Sequence, residues 1–126
     1  MVGGIRMELT PMRVTAPAGQ TAVFVCAYFS TERLEIDLIA VNLCDANGTA
    51  NAVMGPAMKD VLDRFPWGSR RTLTVVVDQH LREVMCRVTD SQGRVRGELS
   101  ATIQPAGSTL SQATTKHLKQ CSSFSH

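Results

Sequence analysis

Two cysteines constrain this chain more than any other feature. Cys26 closes the run Ala22-Val23-Phe24-Val25-Cys26, and Cys86 sits within Val84-Met85-Cys86-Arg87-Val88. Each shares parity with apolar neighbours: Ala22 and Phe24 in the first run, Val84 and Val88 in the second. Period-two alternation marks a half-buried strand, because successive side chains point to opposite faces. Two such strands, each aiming a cysteine at one core, suit a bridge between facing sheets. The four cysteines allow three pairings. Strand context favours Cys26 with Cys86, leaving Cys44 and Cys121 as thiols or as a second bridge. The alternative for the first pair is two buried thiols.

A chain of 126 residues, 44% of them hydrophobic, is long enough for one domain with a two-layer core. A net charge of +2, without a basic stripe studded with aromatics, gives no reason to expect a nucleic-acid partner. No apolar run approaches the ~20 residues of a membrane-spanning helix. Residues 1–6 show no apolar targeting core. They read as a flexible leader, and a secreted protein lacking such a segment is expected to be a fragment of a longer chain.

Turn residues punctuate the rest. A first strand spans 7–15, interrupted by Pro11, which is tolerated at an edge or at a break between strand halves. After the turn at 16–20 come a strand over 21–28, a polar loop, and a third strand over 34–44 with Ile36, Leu38 and Ala40 on one face. Asn47-Gly48 is a strong hairpin signal. In the irregular stretch 52–69, Pro56 can open a short helical turn with Met58, Val61, Leu62 and Phe65 at helical spacing, ended by Pro66; the competing reading is an irregular edge strand of the sandwich. Strands follow over 71–78 (Leu73, Val75 and Val77 inward), 84–89 and 95–104 (Leu99, Ala101 and Ile103 on one face), the last stopped by Pro105. Residues 106–126, rich in Ser, Thr and Gln, read as a disordered tail or linker. The pattern predicts an all-β antiparallel sandwich over 7–105.

Three segments resemble an immunoglobulin-like domain. Val14-Thr15-Ala16-Pro17-Ala18-Gly19-Gln20-Thr21-Ala22-Val23-Phe24-Val25-Cys26 is similar to the family's turn into its second strand. Leu73-Thr74-Val75 followed by Cys86 is similar to its fifth and sixth strands. Cys86-Arg87-Val88-Thr89-Asp90-Ser91-Gln92-Gly93 is similar to its approach to the last strand. Two hallmarks differ. The third-strand tryptophan is replaced by an aliphatic residue, Leu38. The tyrosine two positions before the second cysteine is Val84, and His80 and Arg82 stand where an aspartate and a glycine usually precede it. A divergent intermediate-set or variable-like domain fits this pattern. Phe24 to Ser30 with Leu34-Glu35-Ile36 also resembles modules of perlecan-like basement-membrane heparan sulfate proteoglycans, which occur in tandem arrays.

The resemblance implies a non-enzymatic extracellular module for protein or matrix contacts, in a matrix proteoglycan or cell-adhesion protein. The alternative is an intracellular structural module of a giant muscle-type protein, with reduced cysteines. Asn47-Gly48-Thr49 is an N-glycosylation sequon, or simply the Asn-Gly turn. Arg70, Arg71, Arg87, Arg94 and Arg96 could form a cationic face for a glycosaminoglycan or an acidic partner. The competing reading is an ordinary solvated face interspersed with Glu83, Asp90 and Glu98. Trp67 is either a contact anchor or, the favoured reading, a lid over one end of the core. His80, His117 and His126 have no metal-ligand spacing with the cysteines. No nucleophile motif, phosphate loop or carboxylate pair points to catalysis, so no enzyme activity, cofactor or metal is expected.

Overall fold

The computed structural model describes residues 4–42, 52–62 and 64–106. Nine strands occur among them: β1 (Ile5–Thr10), β2 (Arg13–Pro17), β3 (Thr21–Ser30), β4 (Glu35–Asn42), β5 (Ala52–Met54), β6 (Met58–Lys59), β7 (Trp67–Val76), β8 (Leu81–Thr89) and β9 (Val95–Ala106). One sheet runs β1-β3-β7-β5, with β6 also on β7, and the other runs β2-β9-β8-β4. Their inner faces enclose one core. It includes Phe24, Leu73 and Val75 from the first sheet, Val77 just beyond β7, and Ile36, Leu38, Ala40, Val84, Val88, Ala101 and Ile103 from the second. Full burial of each valine, leucine, isoleucine and phenylalanine among them stabilises by about 1.5–3 kcal/mol.

Cys26 and Cys86 are joined across the sandwich, with Cα atoms 6.4 Å apart. Each is fully buried. On its own sheet Cys86 is flanked by Leu38 and Leu99 in register. Leu38 therefore sits beside the bridge in the place of the expected tryptophan.

The first strand breaks at Pro11, as its sequence allows. The consequence is larger than a kink, because its halves join different sheets: β1 pairs with β3, and β2 pairs with β9. The second pairing is parallel, so the expected all-antiparallel sandwich is corrected at that edge. At Pro11 the chain leaves the edge of β3 for that of β9, alongside which β2 runs in the same direction.

Two further expectations are corrected. Pro105 does not end the last strand, which runs to Ala106. The ladder between β8 and β9 reaches only to Thr102. Beyond it β9 pairs with β2 alone, so a residue lacking an N–H is tolerated there. The helical turn after Pro56 is absent: no helix occurs among the described residues. The backbone of Met58–Lys59 pairs instead with Arg70 and Ser69, and the Asp60 N–H donates to the Gly68 carbonyl at 3.1 Å. A helix here would have left this edge of β7 unpaired. Of the expected apolar helical face, Met58 and Val61 are 56% and 74% exposed. Phe65 instead packs on Phe29, ring centroids 6.4 Å apart, and Phe29 stands on the opposite side of β3 from the cysteine.

β1 begins at Ile5, inside the stretch read as a leader. Asn47, Cys44, Cys121 and the tail from 107 lie outside the described residues.

Candidate functional site

The candidate site lies where β4 and β7 face each other at one end of the sandwich. The edge strand beside β7 is interrupted between Met54 and Met58, where Gly55 and Pro56 intervene. The Gly55 N–H still donates to the Thr72 carbonyl at 2.8 Å, but Pro56 cannot continue the ladder. The interruption leaves a cleft of about 730 Å³. Tyr28, Leu34 and Ile36 line it from the core; Arg33, Lys59 and Trp67 line it from the rim.

Tyr28 fixes one wall. Its hydroxyl donates to the Leu34 carbonyl at 2.7 Å and accepts from the Leu34 N–H at 2.9 Å. Both groups are buried, so one side chain satisfies both backbone atoms of the residue just before β4. This anchor holds the loop at 31–34 against the core. The missing tyrosine at position 84 thus has a partial counterpart in a tyrosine on another strand.

Trp67, expected over the core, is 44% exposed. It opposes Ser30 at the outer end of the β3–β7 ladder, beyond the last layer of core side chains. The Arg33 guanidinium lies 5.9 Å from its ring centroid, within range of a cation–π attraction. Arg71 also borders the cleft. It opposes Cys26 in register and so shares the inner side of the sheet. Its Nε donates to the Gly55 carbonyl at 2.9 Å and its NH1 to the Ile36 carbonyl at 3.1 Å. Arg71 therefore ties the interrupted edge to β4 through neutral acceptors and keeps its charge at the cleft.

The other arginines are placed differently. Arg70 is exposed on the outer side of β7, opposite Met58. Arg87 pairs with Glu98 at 2.9 Å across β8 and β9. Arg94 pairs with Asp90 at 3.4 Å. Arg96 reaches Glu32 at 2.8 Å and Asp90 at 3.6 Å, joining the hairpin after β8 to the loop before β4. Arg87, Arg94 and Arg96 thus have carboxylate partners, and the five arginines form no single cationic face.

Asp90 organises that hairpin. Its carboxylate accepts the N–H groups of Arg94 (3.0 Å) and Gln92 (2.9 Å). Its pKa is held below the ordinary 3.8, chiefly by the Arg94 N–H; partial burial opposes this, and the Gln92 N–H and the Arg94 charge add to the lowering.

Trp67 and Arg71 stand out in the sequence as candidates; Arg33, Lys59 and Tyr28 do not, and only the fold brings the five to one site. The available signal was Tyr28, an aromatic with the same parity as Cys26, with Leu34 opening the next apolar run six positions later.

No family model matches the chain, and no curated protein matches it in sequence. Solved structures do match. The chain is similar to the BIgI domain of beta protein from S. agalactiae, solved bound to CEACAM1, at 14% identity and TM-score 0.51, covering 81% of this chain and 96% of that one. It is similar to Rst D1-D2 at 15% identity and TM-score 0.56, covering 79% of this chain and 47% of that one. The titin Ig tandem A164-A165 matches at 20% identity and TM-score 0.50, covering 80% of this chain and 45% of that one. The fold is immunoglobulin-like. The chain spans about half of the Rst and titin structures and nearly all of the BIgI domain. This immunoglobulin-like sandwich keeps the inter-sheet disulfide while replacing the tryptophan and tyrosine that usually accompany it.

Proposed function

We propose that the chain is a non-enzymatic, extracellular binding module whose work is contact with another protein. The observation that carries this reading is the buried Cys26–Cys86 bridge between the sheets. Such bridges persist in oxidising surroundings and are rare where thiols are kept reduced. One similar structure, the BIgI domain, was solved bound to a protein, which supports a protein partner here. The setting is a matrix proteoglycan or cell-adhesion protein, and the Asn47 sequon in such a setting is an acceptor for a glycan. The cleft supplies the contact, because it combines an exposed tryptophan with charge on a rigid strand framework.

The test is immunolabelling of cells that produce the protein, before and after permeabilisation. Labelling of the unpermeabilised surface or surrounding matrix is expected. Labelling that needs permeabilisation, together with thiols that alkylate without reductant, would overturn the proposal in favour of an intracellular structural module.

A further inference from the structure

We infer that the cleft between β4 and β7 receives an acidic peptide segment of the partner, carrying carboxylates on either side of an apolar residue. The inference deepens the proposed function and rests on it. Arg33, Lys59 and Arg71 border the cleft against a single carboxylate, Glu35. Lys59 opposes Ser69 on β7 and so shares the cleft side of the sheet. Arg71 is fixed by backbone carbonyls, which orient its charge without neutralising it. Trp67 adds a half-exposed apolar surface to the same cleft, with the Arg33 guanidinium over its ring. An apolar side chain of the segment covers the Trp67 ring, while flanking carboxylates meet Arg33 and Lys59.

The surface favours a peptide over a sulfated glycan. A glycan chain with regularly spaced sulfates needs a continuous cationic track, whereas Arg87, Arg94 and Arg96 are already paired with Glu98, Asp90 and Glu32. Arg33, Lys59 and Arg71 border a cleft with an aromatic platform, a geometry matched to a few residues of extended chain.

Trp67 is the protein's one tryptophan, so its fluorescence reports on the cleft alone. The full oxidised chain is titrated with acetyl-Glu-Glu-Asp-Leu-Asp-Glu-Glu-amide, with its lysine-substituted counterpart, and with a heparin hexasaccharide. A saturable change in Trp67 emission is expected with the acidic peptide only, weakening as salt is raised. The Arg33→Glu, Lys59→Glu double variant is expected to bind at least about tenfold more weakly, and Arg87→Glu as tightly as the parent. If charge reversal disturbs the circular dichroism spectrum, Arg33→Gln with Lys59→Gln replaces it, with the same ordering expected. No saturable change, equal affinity in the double variant, or tighter binding of heparin with the same emission change would overturn the inference. A bridged, surface-located module that ignores the acidic peptide would overturn this inference and leave the proposed function standing.

Discussion

Tyr28 illustrates how much a single side chain decides here. Its ring is buried against the core, and its hydroxyl serves both backbone groups of Leu34. Tyr28→Phe keeps the ring but leaves a buried N–H and a buried C=O without that partner. The expected loss is about 1–3 kcal/mol by urea titration, together with loosening of the loop that carries Arg33. Cys26 and Cys86 act at the same scale. Their bridge closes a loop of 60 residues, for which chain entropy gives about 4 kcal/mol of stabilisation. The Cys26→Ala, Cys86→Ala variant should lose about that much, measured by denaturant unfolding against the oxidised parent. The cysteines were legible in the sequence because alternation places them inward. Trp67 was not, because parity fixes the side of the sheet but not the distance from its end. The ring shares the inner side yet stands beyond the core.

Among the elements, the irregular edge beside β7 departs most from sequence expectation. Apolar spacing over 58–65 suited a helix, but the unpaired backbone edge of β7 was the stronger demand. Helical periodicity in a short window cannot register such a long-range partner. Gly68 shows how closely this edge packs. A Cβ there would stand 2.6 Å from the Asp60 carbonyl oxygen and 2.8 Å from the Phe29 ring. Gly68→Ala is therefore expected to lower the melting temperature and to detach the segment containing β6, seen as faster hydrogen exchange at Asp60. Gly97→Ala should be milder, because the atom it meets at 2.6 Å is the sulfur of Met7, on a flexible side chain. The hairpin after β8 responds to acid. The depressed Asp90 pKa means that its contribution is fully present above the ordinary carboxylate value of 3.8. It is lost as pH falls through the lower folded value. Protection of the Gln92 and Arg94 amides relative to their intrinsic exchange rates should fall below that pH and hold above it. Asp90→Asn should abolish this acid-dependent step.

For the whole molecule, the sandwich was legible because two strands with inward cysteines, and alternation in β4, β7, β8 and β9, leave few other ways to bury one face of each. The parallel pairing of β2 was not legible, since a proline marks a break without saying which sheet the chain enters next. The cleft was hidden for a related reason: Arg33, Lys59 and Trp67 are scattered along the sequence and meet only when β4 faces β7. The covalent link between the sheets pins the sandwich that shapes the cleft, and the proposed extracellular setting rests on it. The most direct measurement is peptide mapping of the full chain, purified from its producing cells with thiols blocked and no reductant added. One cross-linked peptide pair containing Cys26 and Cys86 is expected. Alkylation of both residues, or linkage of either to Cys44 or Cys121, would contradict it.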